Sequence, residues 1–82
     1  MTAETVSTLI QSIARRLEAV GIEDAGIDAR LLLRSAFGWT AAQQLGQLLD
    51  HPPANRLDDL ESMVLRRETR EPLQYITGST EF

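Results

Sequence analysis

The sequence predicts an all-α protein: a small antiparallel bundle of four to five helices followed by an extended C-terminal linker segment. Two observations carry this prediction. Apolar residues recur at spacings of three and four along four stretches of the chain, which is the period of a helix. Glycine or proline lies at the end of each stretch, and the connections are short. No pair of strand-like segments competes with a helical bundle.

The first predicted helix runs from Ala3 to Val20. Thr2 or Thr5 can cap its N-terminus, and Gly21 supplies the left-handed residue that ends it. Its apolar stripe consists of Val6, Leu9, Ile10, Ile13, Leu17 and Val20.

The second helix begins at Asp24 or Asp28, either of which can cap it, and ends near Phe37 before Gly38. We expect its inner face to be Ala29, Leu32, Leu33 and Ala36. Trp39 is expected to pack in the core or between the second helix and the third, and the alternative is a binding hot spot.

The third helix is predicted over about Thr40 to Leu49, because Thr40 and Gln43 match a capping box. Gly46 inside it costs up to about 1 kcal/mol relative to alanine. The side chains expected to point inward are Ala41, Leu45, Leu48 and Leu49.

The fourth helix starts between Pro53 and Arg56 and runs to about Thr69, with Pro72 closing it. Its stripe is Leu57, Leu60, Met63 and Val64. Acidic residues near its start and arginines near its end oppose the helix macrodipole favourably.

The tail has a different character. Leu73 to Ile76 is predicted as a short helical turn, in which Tyr75 and Ile76 pack on the fourth helix. Gly78 breaks the turn, and Ser79 to Phe82 is predicted to be extended. We therefore expect this chain to be a piece of a longer protein.

The predicted core combines the stripes of all four helices. Its members are Val6, Leu9, Ile10, Ile13, Leu17, Leu32, Leu33, Leu45, Leu48, Leu57, Leu60 and Val64.

Composition excludes several classes of function. The chain has 82 residues with no cysteine and one histidine, which excludes disulfides, thiolate metal sites and multi-histidine metal sites. A net charge of −4 disfavours a binder of nucleic acid. No apolar run reaches the roughly 20 residues that a membrane span needs. We expect a monomeric cytoplasmic protein that binds neither nucleic acid nor membranes.

Individual polar residues give no active site. His51 lies between Asp50 and two prolines and is interpreted as an exposed loop residue. The acidic residues at 58, 59 and 61 are interpreted as a solvated first helical turn. There is no glycine-rich phosphate loop. No catalytic, cofactor-binding or metal-binding residue is therefore predicted in this chain.

The one basic cluster is Arg66, Arg67 and Arg70. Positions 66 and 70 are neighbours on a helix, so Arg66 and Arg70 are the candidate contact for an acidic partner surface or for RNA phosphate. The alternative is compensation of the helix dipole. Arg67 is expected to lie along the core edge and to pair with Glu71.

The end of the chain resembles a known family. Arg66-Arg67, then Glu71-Pro72, Tyr75-Ile76-Thr77-Gly78 and Glu81-Phe82, match the end of the N-terminal domain in the HemK/PrmC family of release-factor glutamine methyltransferases. Gly21-Ile22 and the stretch 28–33 resemble upstream segments of that family.

This resemblance implies a helical substrate-recognition domain over residues 1–70 and a linker over residues 71–82. The linker residues are Glu71, Pro72, Tyr75, Gly78, Glu81 and Phe82. The linker would lead to a Rossmann-like catalytic domain that binds S-adenosylmethionine and methylates the glutamine amide in the Gly-Gly-Gln loop of peptide-chain release factors. The release factor and the catalytic domain are the implied partners.

The family's glycine-rich and Asn-Pro-Pro-Tyr motifs do not occur in these residues, so no cofactor is expected in this piece.

Three other functions remain as alternatives. One is a stand-alone helical protein-interaction module. Another is an acyl-carrier-like protein, for which Glu61-Ser62-Met63 is the nearest match to the required Asp-Ser-Leu. The third is a helix-turn-helix DNA binder, which would have only Gln43, Gln44 and Gln47 to contact bases.

Overall fold

The computed structural model describes residues 4–78, which form five α-helices and contain no strand. The helices are α1 (Val6–Ala19), α2 (Ala25–Phe37), α3 (Ala41–Gly46), α4 (Leu57–Glu68) and α5 (Leu73–Thr77), and a 3-10 turn (Ala54–Arg56) leads into α4. The all-α prediction is confirmed. The segment predicted to be extended, Ser79 to Phe82, lies outside the described residues.

The helix ends follow the local signals in the sequence. The Thr5 hydroxyl accepts the Thr8 N–H at 3.3 Å, and the Thr8 hydroxyl accepts the Thr5 N–H at 2.9 Å. The predicted Thr40–Gln43 capping box forms in the same way, with distances of 3.1 and 2.8 Å. Gly38 ends α2 with a φ of 71°, in the left-handed region that favours glycine.

Helix α2 lies at the centre of the bundle and packs against α1, α4 and α5. Leu32 and Leu33 are fully buried there, and Leu17 of α1 and Val64 of α4 are fully buried as well. Of the predicted core, eight members are buried: Val6, Ile10, Ile13, Leu17, Leu32, Leu33, Leu60 and Val64. Leu9, Leu48 and Leu57 are partly buried against them.

The predicted inner face of the third helix is wrong for three of its four residues, and only Leu48 is partly buried. Leu45 and Leu49 are 72% and 86% exposed, and Ala41 is exposed too. The buried residue of α3 is instead Gln44, whose Nε2 donates to the Arg30 carbonyl oxygen at 2.9 Å. Because this hydrogen bond turns Gln44 toward α2, the neighbouring Leu45 points to solvent. Helix α3 also ends at Gly46, before the predicted Leu49.

Residues that follow α3 are held against the start of α1. The Val6 N–H donates to the Asp50 carbonyl at 2.9 Å, and the Ser7 N–H donates to the Leu48 carbonyl at 2.9 Å. The first N–H groups of a helix have no partner inside the helix. The loop therefore satisfies two donors that α1 leaves free.

Helix α5 confirms the predicted turn after Pro72. Ile76 is 6% exposed and joins the core, whereas Tyr75 is 67% exposed. The expectation that Tyr75 packs on the fourth helix is wrong, because a helix of five residues buries only one side. No helix in the described part of the chain combines the length and apolar character needed to cross a bilayer.

Candidate functional site

Arg67, in the last turn of α4, contacts two other parts of the fold. Its Nε donates to Oδ2 of Asp28 at 2.9 Å, and its Nη1 donates to the Glu71 carbonyl oxygen at 2.9 Å. The Arg67 and Asp28 side chains are only 20% and 10% exposed. This places the C-terminal end of α4 against the first turn of α2 and fixes the turn that leads to α5.

The predicted ion pair between Arg67 and the Glu71 carboxylate is wrong. Helix α4 ends at Glu68, so positions 67 and 71 are not one helical turn apart. The Glu71 carboxylate pairs with Arg66 instead, through both Nε, at 3.0 Å, and Nη2. This hydrogen-bonded pair lowers the pKa of Glu71 and raises the pKa of Arg66.

Arg70 lies beyond the end of α4, with a φ of 73°. Its Nη2 donates to the Val20 carbonyl oxygen at 2.8 Å, beside Gly21. A Cβ added at Gly21 would lie 2.7 Å from that Nη2. Arg66 and Arg70 are therefore not adjacent residues of one helix, and each is exposed while bonded to a different part of the chain. Their contact with a partner stays a prediction.

The linker motif shapes the turn between α4 and α5. Glu71 is half-buried, Pro72 caps the start of α5, and Gly78 ends it with a φ of 69°. Tyr75 exposes its ring, and its carbonyl oxygen accepts from Arg66 Nη2 at 3.3 Å. Glu81 and Phe82 lie outside the described residues.

A groove of about 460 Å³ lies between α2 and α5. The Ser35 hydroxyl donates to the Thr77 carbonyl oxygen at 3.3 Å and joins its two walls. Trp39 is half-buried at the groove. Its ring packs edge-on against the ring of Phe37, with 5.0 Å between the ring centroids. The residues that line the groove are Leu31, Arg34, Ser35, Trp39, Leu73, Gln74 and Thr77.

Charge is distributed unevenly around the bundle. On the side formed by α1 and α4, Arg16 bridges Glu61 and Glu68 with N–O distances of 2.8 and 3.1 Å. Between residues 25 and 49 the sequence has two arginines and a single carboxylate, that of Asp28. Because Asp28 is buried against Arg67, helices α2 and α3 expose no carboxylate.

Within residues 4–78, no cluster of three or more histidine, aspartate or glutamate side chains could hold a metal ion. His51 is exposed, and its Nδ1 lies 3.1 Å from the Glu4 carbonyl oxygen. The groove and the exposed arginines are surface features that a ligand could contact.

Sequence reasoning missed the groove and the role of Gln44. The groove exists only because α5 folds back on α2, which is a contact between residues about 40 positions apart in the chain. A capping box that started a short helix was the one local signal near Gln44. This capping box predicted where α3 begins, but not which of its side chains face the core.

Comparisons with known proteins agree with the resemblance in the tail. Residues 8–78 match the profile of the PrmC N-terminal domain family. A release factor glutamine methyltransferase from Bifidobacterium longum is 35% identical over 94% of this chain, which spans 27% of that relative's length. No solved structure matches. Because the family profile covers most of the residues, this chain belongs to the PrmC N-terminal domain family.

Proposed function

We propose that this chain is the N-terminal, substrate-binding domain of a release factor glutamine methyltransferase. The observation that carries the proposal is the family match over residues 8–78, together with the relative that bears that enzyme's name. The chain spans 27% of that relative, so a second domain of the full enzyme would perform the chemistry. We further propose that the enzyme is a cytoplasmic monomer.

In this proposal the catalytic domain transfers a methyl group from S-adenosylmethionine to the amide nitrogen of a glutamine in the release factor. This chain contributes affinity for the substrate. Its groove and exposed arginines support that role, because they are features that bind a protein surface. The domain boundary predicted at residue 70 would assign α5 to the linker. In the structure, however, α5 packs on helices α2 and α4 of the bundle.

A physical argument explains why such an enzyme gains from a separate binding domain. A specific protein interface buries roughly 800 Å² on each partner, and a short loop entering an active site supplies little of that area. A second contact on a tethered domain raises the effective concentration of the loop at the catalytic centre. The gain appears in substrate affinity rather than in the rate of methyl transfer.

The test compares the full-length enzyme with a version that lacks residues 1–78. We expect the deletion to raise KM for release factor at least about ten-fold and to change kcat much less. Binding of S-adenosylmethionine to both proteins controls for the integrity of the catalytic domain. Calorimetry of the isolated chain with release factor should show saturable binding. An unchanged KM together with no binding would refute the proposal.

A further inference from the structure

We infer that the groove between α2 and α5 docks a segment of the protein substrate that carries a carboxylate beside an apolar side chain. The inference rests on the proposed function and deepens it, because it names the surface and the chemistry of the segment that fits. Three features of the groove carry it: its apolar walls, the orientation of Arg34 by Gln44, and the lack of a carboxylate among the lining residues within 4–78.

The walls of the groove include apolar side chains that are only partly buried in the fold. Leu31 of α2, Trp39 and Leu73 of α5 are all intermediate in exposure, and Trp39 and Leu73 pack against the core from outside. The volume of about 460 Å³ is within the range of about 300–1,000 Å³ typical of ligand clefts. An apolar side chain that entered would cover these three residues and displace water from them.

Arg34 is oriented at this groove by a buried neighbour. Its Nε donates to Oε1 of Gln44 at 3.2 Å, while Nε2 of Gln44 donates to the Arg30 carbonyl at 2.9 Å. Gln44 is 4% exposed, so the amide that holds Arg34 is fixed in the fold. Gln44 is thus a positioning residue for the guanidinium.

The two Nη groups of Arg34 have no hydrogen-bond or ion-pair partner within residues 4–78. A guanidinium presents paired N–H donors in a planar fork that matches a carboxylate. Arg16, Arg66 and Arg67 already pair with carboxylates of this chain. Arg34 is free to pair with a carboxylate from a partner.

The charges around this groove are compatible with an acidic segment. No carboxylate is among the residues within 4–78 that line the groove, and Asp28 is the single carboxylate between residues 25 and 49. The lining of two other depressions includes carboxylates: Glu23, Asp24 and Asp28 beside Arg67 and Arg70 in one, and Asp59 beside Arg56 and Arg66 in the other. Among the described residues that line the α2–α5 groove, Arg34 is the one charged side chain, so an acidic segment meets no carboxylate among them.

The test measures binding of release factor to this chain by calorimetry at low and at high salt. Arg34→Glu should weaken binding at least about ten-fold at low salt, and less at high salt, because the contact is ionic. The matched control is Arg15→Glu, which makes the same charge change on an exposed residue of α1 that has no ion pair within residues 4–78. It should change binding by less than about two-fold.

A second pair of variants keeps the test informative if Arg34→Glu fails to fold. Leu31→Ala removes apolar surface from the groove, and Leu65→Ala removes the same side chain from an exposed position on α4. Leu31→Ala should weaken binding about three-fold or more, whereas Leu65→Ala should leave it unchanged. Thermal unfolding of all four variants shows which of them retain the fold.

The outcomes separate this inference from the proposed function. If the wild-type chain and the full enzyme show no affinity for release factor, the proposed function fails and the groove proposal fails with it. If wild type binds but the groove variants match their controls, only the groove proposal is wrong. It is also wrong if Arg34→Glu instead weakens association with the separately expressed catalytic domain, or abolishes self-association of this chain.

Discussion

The Nε of Arg67 lies 2.9 Å from Oδ2 of Asp28 and so connects the last turn of α4 to the first turn of α2. Both side chains are mostly buried, and the same guanidinium also donates to the Glu71 carbonyl at 2.9 Å. One arginine therefore sets the position of α4 against α2 and the course of the chain into α5. The groove between α2 and α5 depends on that course.

Arg67→Ala should lower the free energy of unfolding by about 2–4 kcal/mol, because it leaves the Asp28 carboxylate buried without its cation. Urea denaturation followed by circular dichroism measures the change. The control is Arg15→Ala, an exposed arginine of α1, which should cost less than about 0.5 kcal/mol. Equal losses in the two variants would show that the Asp28 pair adds nothing to stability.

We expect the free energy of unfolding to decrease in acid because Arg16 pairs with the Glu61 carboxylate. The hydrogen bond from Arg16 holds the pKa of Glu61 below its ordinary value of 4.5. A carboxyl whose pKa is lower in the folded state stabilises the fold fully above the unfolded pKa, and this contribution is lost as the pH falls through the folded pKa. The free energy of unfolding should therefore decrease as the pH falls below about 4.5.

The control for the pH experiment is a neighbouring arginine of α1. Arg16→Gln should flatten the decrease in acid, because Glu61 then titrates near its ordinary pKa in both states. Arg15→Gln should retain the wild-type slope, since Arg15 has no ion pair within residues 4–78. The slope is read from urea midpoints measured between about pH 3 and about pH 7. Identical slopes for wild type and Arg16→Gln would contradict this assignment.

Two leucines of α4 test the predicted apolar stripe. Leu60 is 2% exposed and Leu65 is 51% exposed. Leu60→Ala should cost about 2–5 kcal/mol, because it removes buried methyl groups and leaves a cavity. Leu65→Ala should cost less than about 0.5 kcal/mol. Thermal and urea unfolding measure both, and a loss below about 0.5 kcal/mol at Leu60 would mean that the stripe is misplaced.

Features that depend on neighbouring residues could be predicted from the sequence. The Thr5 and Thr40 caps and the left-handed glycines at 21 and 38 follow from local hydrogen bonding and backbone sterics. The stripes of α1 and α4 follow from helical periodicity, because one face of a long helix must be buried.

Features that depend on residues far apart in the chain could not be predicted from the sequence. Helix α3 has six residues, too few for an apolar pattern to outweigh the hydrogen bonds of Gln44 to α2. The partner of Arg67 is 39 positions away, and periodicity gives no information about pairs at that separation. For the same reason the sequence predicted Trp39 as a packing residue, with a binding role as the alternative, but did not predict the groove that it lines.

The isolated chain should show no binding of S-adenosylmethionine in calorimetry at millimolar ligand. Neither the family's glycine-rich motif nor Asn-Pro-Pro-Tyr occurs among its residues, so the cofactor site should lie in the second domain. The full-length enzyme serves as the positive control. Saturable heat from the isolated chain would show that part of the cofactor site belongs to this domain.

The predicted partner contact at Arg66 and Arg70 needs a test that separates binding from folding, because both side chains also bond within the chain. Each is exposed, so a partner carboxylate can reach its remaining N–H groups. In the full enzyme, the double variant Arg66→Gln/Arg70→Gln should raise KM for release factor several-fold at low salt and less at high salt. Glu71→Gln is the matched control, since it breaks the Arg66 pair and keeps both cations. If the double variant and Glu71→Gln leave the same KM at low salt, the two arginines stabilise the turn into α5 and the partner binds elsewhere.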